Sequence, residues 1–347
     1  MPDIVALGEL LIDFTHSYTG ELVLKDSLKD TSKGSAKDKP VYAENTEAYV
    51  QTAGGAPANV VCMAAKLGAS TGFIGKIGRD MFGFYLKDVL RKAGVDSSGL
   101  IVDPNYMTPL AFVRTNEDGE RDYVFYRSPQ LSADLNLRYG EVNRKMIEEC
   151  RIFHFSAMSL TAEPARTAAA SSAEYAKTLG KIVSYDPNWR PHLWESKDAA
   201  LREMRSVVQY VDIIRVSEDE LQLITDCGTL VAAAAKLLNA GIKIVCVTQG
   251  AKGCIIATSK GVERYPSYKA PTVDTMGSGD CFMGAFLHKI VESGKDLHEL
   301  TSDDIGEFAM FANACGALSS SKKGAIPAIP SLEEVEKIMA EQPIVSN

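Results

Sequence analysis

The feature that most limits what this chain can fold into is a regular alternation of short apolar runs with helix-like segments. The runs Ile152–Phe155, Lys181–Tyr185, Asp212–Val216 and Lys243–Val247 read as strands. The segments Ala162–Leu179, Ala199–Gln209, the stretch after Ser217–Glu220, and Leu230–Asn239 read as helices between and around them. Such a rhythm predicts a parallel sheet with helices packed on it. The N-terminal part keeps the beat. Ile4–Phe14 reads as one buried strand ending at Asp13, although Gly8 and Glu9 interrupt it. A glycine-rich turn at Gly54–Asn59 leads into a helix through Lys66, then come a strand at Thr71–Ile77, a helix started by Asp80, and a strand near Leu100–Val102. A strand at Cys254–Ala257 and a short hairpin follow, and helices at Asp280–Ser293, Asp304–Ser319 and from Leu332 close the chain. At 347 residues the chain is long enough for one large core or two modest ones.

Two stretches break the rhythm. Leu110–Thr115 and Arg121–Tyr126 flank Asn116–Glu120, whose Asp-Gly between alternating runs predicts a hairpin. Ser17–Asn45 is polar, and its centre, residues 25–39, has almost no apolar side chain to bury, so an exposed loop is expected there. Glu47–Thr52 would return as a strand. The two interruptions, about 15–53 and 106–128, are read as one small β layer inserted in a single α/β domain.

Charge and composition exclude several classes. Lys+Arg 37 against Asp+Glu 45 gives a net −8, which argues against a nucleic-acid-binding surface. The seven cysteines are scattered without C-x-x-C spacing, which predicts free thiols rather than zinc or disulfides. No signal-peptide pattern opens the chain and no apolar stretch reaches membrane-spanning length, so a cytoplasmic protein without a membrane partner is expected.

The chemistry is concentrated in Asp274-Thr275-Met276-Gly277-Ser278-Gly279-Asp280 and the apolar helix it opens. Helix starts expose unpaired N–H groups and a partial positive charge, and so attract phosphates. Gly277 and Gly279 let the backbone turn tightly beside such a ligand, and the same field is expected to keep Asp280 ionised. A carboxylate beside a phosphate cradle suits a general base for phosphoryl transfer. Taken alone, Asp280 reads more readily as a helix cap. There is no G-x-x-x-x-G-K-[ST] and no G-x-G-x-x-G, so a phosphate site here must be built another way. The second turn, Gly54-Gly55, suits a second ligand. Asp13, both glycine turns, Asp186, Glu220 and Thr248 all fall at the carboxyl ends of predicted strands or at the β layer, where open parallel sheets bind ligands.

The pair formed by Gly54-Gly55-Ala56-Pro57-Ala58-Asn59, continuing to Gly75 and Gly78, and Asp274–Asp280 resembles the two signatures of the PfkB (ribokinase-like) carbohydrate kinases. Within that family Gly8–Asp13, Gly119–Arg127, Asp186–Arg190 and Phe311–Ala317 resemble fructokinases. The resemblance implies a three-layer α/β/α ribokinase-like fold with a small β-sheet lid, and transfer of phosphate from ATP to a sugar, fructose first. Another ribokinase-like kinase, for 2-keto-3-deoxygluconate, ribose or a riboside, and a non-catalytic sugar- or nucleotide-binding regulator are the alternatives. It implies Asp280 as the base and the N–H groups of Gly277, Ser278 and Gly279 as the anion hole. Asp13, Gly54, Gly55 and Asn59 would bind sugar hydroxyls, with Arg127 from the hairpin and Arg190 beside them; Arg190 also reads as a surface arginine flanking a helix. Thr248, Gly250 and Gly253 match the nucleotide turn, and Asn313 lies where adenine is held. Glu220 would organise Mg²⁺ and phosphate, with Ser217 in place of the family's Asn, as in fructokinases. Asp274 and Gly324 would hold a monovalent cation such as K⁺; their plain readings are a turn acid and a helix cap. The resemblance also implies a homodimer through the lid, although residues 25–39 are longer than the fructokinase pattern has there.

Overall fold

The structure, a computed structural model, describes residues 1–17, 48–115 and 121–342. The loop expected at 25–39 and the turn at 116–120 lie outside the described residues. The chain forms β1 (Ile4–Leu7), β2 (Leu11–Ser17), β3 (Ala48–Gly54), α1 (Ala56–Lys66), β4 (Thr71–Gly78), α2 (Met81–Lys92) and β5 (Asp96–Asp103). Then come β6 (Leu110–Thr115), β7 (Arg121–Tyr126), α3 (Arg144–Glu149), β8 (Ile152–Ser156), α4 (Ala165–Thr178), β9 (Ile182–Asp186) and α5 (Lys197–Ser206). The remainder is β10 (Ile213–Ser217), α6 (Glu218–Thr225), α7 (Leu230–Asn239), β11 (Ile244–Thr248), β12 (Cys254–Thr258), β13 (Gly261–Tyr265), α8 (Ser278–Ser293), α9 (Ser302–Ser319) and α10 (Leu332–Glu341).

Nine strands form one sheet in the order β13-β12-β11-β10-β9-β8-β1-β4-β5. It is parallel from β5 to β11, with β12 and β13 added antiparallel at one edge. The inner strands are buried on both faces, which is why they read as continuous apolar runs. One face packs α1, α2, α8, α9 and α10 into a core around Met63, Phe73, Phe286 and Phe308. The other packs α4 to α7 around Phe153, Phe155, Tyr185 and Leu237. The result is three layers, as expected. α3 was not anticipated; at six residues it is too short to show a helical period.

The N-terminal strand is a correction. Ile4–Phe14 splits into β1, in the centre of the large sheet, and β2, in a separate four-stranded sheet of order β3-β2-β6-β7. The break has a physical cause at Gly8–Leu10. A Cβ on Gly8 would stand 2.6 Å from Pro57 Cγ, so α1 can approach only a glycine. Glu9 turns its carboxylate inward to accept hydrogen bonds from Ala56 N at 2.8 Å and Ser156 Oγ at 3.0 Å. A run that looked continuous by hydropathy is thus one strand in each of two sheets.

The second sheet gathers both sequence interruptions, β2–β3 and β6–β7. Aromatic contacts tie it together: Phe14 stacks on Phe112 with centroids 5.0 Å apart, and Phe14 meets Phe82 of α2 edge-on at 5.7 Å.

Candidate active site

Side chains from both sheets converge beyond the carboxyl ends of β9, β10 and β11, at the start of α8. Gly277 adopts φ 72° as the residue before the helix, a left-handed conformation that admits glycine freely. The turn divides two cavities. Gly277 and Asp280 line one of about 400 Å³, together with Glu9, Asp13, Asn59, Asn188 and Arg190. Ser278 and Gly279 line the other, of about 370 Å³, with Arg215, Thr248, Gly250, Gly253 and Asn313. A larger cavity of about 660 Å³ lies at the opposite end of the strands, lined by Lys181, Lys243 and His298 among others. It holds none of the converging groups, and size alone does not make it the site.

Asp280 is 9% exposed and accepts a hydrogen bond from Asn59 Nδ2 at 2.7 Å. Burial pushes its carboxyl above the ordinary range, against the pull of Asn59, Arg215 and Arg190. Desolvation thus works against these partners, which favour the ionised form, as the helix start also does. Asn59 Oδ1 is buried and has no protein partner, so one acceptor remains open.

Asp13 lies on β2 opposite Thr52. Its Oδ2 would stand 2.0 Å from a Cβ at Gly54, so Gly54 makes the space the carboxylate occupies. Gly55 sits at φ 115°, and a Cβ there would meet Glu9 O at 2.4 Å. Burial raises Asp13 to about 7, with Arg190 opposing and Asp274, Asp280 and Glu9 adding to the rise. Glu9 is likewise raised to about 7 by burial, with Arg127 opposing. Tyr123 and Phe125 of β7 line the same cavity, and the Arg190 guanidinium lies 5.8 Å from the Tyr123 ring centroid. The small sheet therefore covers this half-site.

Several sequence expectations are redirected by geometry. Arg127 does not line the cavity with Asp13. Its guanidinium is spent on Asp134 Oδ2 at 2.6 Å, Thr161 Oγ1 at 3.0 Å and Met158 O at 2.9 Å, so its reach from the hairpin ends in the wall. Glu220 has both oxygens occupied, by Trp189 N at 2.6 Å and Ser217 N at 2.8 Å. It holds the Asp186–Arg190 turn and caps α6, with Ser217 returning a bond in a capping box. Asn313 donates to Tyr265 O at 3.1 Å and Pro266 O at 3.0 Å, and so clamps the cavity wall. Gly253, at φ 97°, would place a Cβ 2.1 Å from Tyr265 O on that same wall. Asp274 and Gly324 do meet, but through Gly324 N donating to Asp274 Oδ2 at 2.9 Å, while Met276 N donates to Oδ1 at 3.0 Å. The pair clasps the glycine turn to the loop after α9.

Sequence reading passed over Arg215, and gave no site role to Glu9, Tyr123, Phe125 and Asn188 although they lie in the segments that resemble fructokinases. Two carried a signal: a charged residue within an otherwise apolar run, at Arg215 in β10 and at Glu9. Asn188, within Asp186–Arg190, takes a left-handed φ of 40° that the sequence does not announce.

The pfkB family carbohydrate kinase pattern matches residues 1–332. The chain belongs to this family. Among its relatives is Fructokinase-1 of Oryza sativa subsp. japonica, 39% identical over 337 residues that cover 97% of each chain. The fructokinase of Xylella fastidiosa, solved with bound ATP, superposes with a TM-score of 0.84 at 28% identity over 98% of this chain and 99% of that one. A fructokinase double mutant of Vibrio cholerae O395, solved in fructose-, ADP- and potassium-ion-bound form, gives a TM-score of 0.82 at 26% identity over 97% and 98%. The ribokinase-like three-layer fold of the pfkB family thus accounts for nearly the whole chain.

Proposed function

We propose that this protein is an ATP-dependent fructokinase, transferring the γ-phosphoryl group to the 6-hydroxyl of D-fructose. The observation that carries this reading is the division of one glycine turn between two cavities, with Asp280 on one side and Ser278 and Gly279 on the other. The cavity with Asp13, Asn59 and Arg190 takes the sugar, whose hydroxyls need both donors and acceptors. The cavity with Thr248, Gly250 and Gly253 takes the nucleotide. Asp280 then accepts the proton of the attacking hydroxyl, which a carboxyl raised by burial holds more tightly than an ordinary one. The first N–H groups of α8 face the charge that develops on the transferred group.

Among the described residues there is no group of three or more His, Cys, Asp or Glu side chains that could cage a metal. A magnesium ion brought by the nucleotide phosphates, which keeps its waters, would meet Glu220 only through one of those waters, since both Glu220 oxygens hold backbone N–H groups. Bound there, it would neutralise phosphate charge. The loop clasp at Asp274 and Gly324 is where we propose a monovalent cation acts, as a support for the phosphate turn. The small sheet is proposed to serve as a lid that keeps water from the transfer. Tyr49, Val50, Val124 and Tyr126 expose apolar surface on it, which supports a second copy docking there.

The test is a panel of sugars with Mg-ATP, scored by kcat/KM for ADP release. Fructose should lead. Fructose ranking far below ribose, 2-keto-3-deoxygluconate or a riboside would reassign the substrate, and sugar binding without ADP release would leave a regulator.

A further inference from the structure

Arg215 is an arginine inside a buried strand, between Ile214 and Val216, which are both fully buried. Such a charge persists only when its partners are fixed by the fold. One terminal nitrogen donates to Asp186 Oδ2 at 3.1 Å and the other to Thr248 Oγ1 at 2.9 Å. Its Nε is buried and has no hydrogen-bond partner. The guanidinium lies flat against the phosphate turn: a Cβ on Gly279 would stand 2.1 Å from Nη2 and 2.4 Å from Cζ. The side chain lines the nucleotide half-site at the point where Ser278 and Gly279 enter it. Gly279, unlike Gly277, does not have a positive φ, so its backbone conformation alone does not call for glycine. The space taken by the guanidinium does.

We propose that Arg215 is the fixed positive charge that meets the transferring phosphoryl group, aimed by Asp186 and Thr248 and admitted because Gly279 has no side chain. The inference deepens the phosphotransfer reading above and rests on it. A phosphoryl group in transit spreads negative charge over its equatorial oxygens, and a preorganised cation in a dry site stabilises that charge more than the ground state. The terminal nitrogens lie against Gly279, within the turn whose N–H groups are assigned to the same phosphoryl group. Asp186 spends its other oxygen on Asn188 N at 2.9 Å, so one buried carboxylate couples the cation to the turn that carries Arg190.

The experiment compares R215Q and R215K in the full-length protein with D-fructose and Mg-ATP, reading kcat and both KM values, with a thermal melt of each variant. Whereas R215K keeps the charge, R215Q removes it and, being shorter, also the donors to Asp186 and Thr248. Its kcat should fall about 100- to 1,000-fold while the sugar KM moves less than about 3-fold. R215K, which keeps the charge, should recover at least about a tenth of the wild-type rate. A folded R215Q within a few-fold of wild type, or equal losses in R215Q and R215K, overturns the proposal, because a merely structural arginine gives one of those results. If R215Q melts below the assay temperature, G279A decides: a methyl pressed on Nη2 should lower kcat, and an unchanged kcat overturns the idea. Wild type that releases no ADP with any sugar defeats the phosphotransfer reading itself. Active wild type beside active R215Q defeats only the role of the arginine.

Discussion

Replacing Asp13 with Asn separates what this carboxylate does for the site from what it does to the fold. Asp13 is 7% exposed and titrates near about 7 because burial disfavours its charged form, with Asp274, Asp280 and Glu9 adding repulsion and Arg190 opposing. In the unfolded chain it would return to its ordinary 3.8. The folded pKa is raised, so its contribution to stability is intact below about pH 4 and is lost as pH rises through about 7. Each pK unit is worth about 1.4 kcal/mol, so the shift corresponds to about 4 kcal/mol by pH 8 and to less than about 1 kcal/mol at pH 4. Asn is nearly isosteric and fits the space above Gly54, so D13N should be more stable than wild type by an amount that grows with pH toward that ceiling. The same change removes a charged acceptor for a sugar hydroxyl, worth about 1.5–3 kcal/mol, and kcat/KM for fructose should fall at least about 10-fold. The assay is denaturant unfolding of both proteins from pH 4 to 8, with sugar kinetics alongside. A stability difference that stays flat between pH 5 and 8 would refute the reasoning, since the lost proton linkage is its whole basis.

Three further outcomes are expected. D280N should lose about 100- to 10,000-fold in kcat while still binding ATP, measured by titration calorimetry; turnover near normal would remove Asp280 from the base role. E220A frees the Trp189 and Ser217 N–H groups, so it should lower the unfolding midpoint and raise the fructose KM by loosening the turn that carries Arg190; a change in neither would show that the turn holds without it. K76M strips Asp103 and Glu141 of a buried partner that sits 3.1 and 2.8 Å from them, and should cost about 3 kcal/mol in chemical denaturation without altering the fructose KM; an unchanged midpoint would make the pair dispensable.

The contrast between Arg127 and Arg215 shows where sequence reading ends. Arg127 sits in a recognisable hairpin, yet its direction is decided by Asp134, Thr161 and Met158, partners up to 34 residues away. Arg215 sits in a strand that predicted burial, and only the sheet order brings Thr248 of β11 and Asp186 of β9 to either side of it. Glu220 was legible as an acid at a strand end; that its oxygens are both committed was not, because a backbone donor leaves no mark in sequence.

By itself the sequence determined the alternation of strands and helices, the small β layer, the two glycine turns and Asp280 at a helix start. These are local properties, fixed by side-chain period, backbone freedom at glycine and capping chemistry. Tertiary structure decided what those pieces meet. It split Ile4–Phe14 between two sheets, because Glu9 and Pro57 need the chain to turn there. It set Asn59 on Asp280 across 221 residues, and it buried Asp280 so that its carboxyl is pushed above the ordinary range. Desolvation and hydrogen-bond partnership depend on everything packed around a group, and that environment exists only once the two sheets close on the turn.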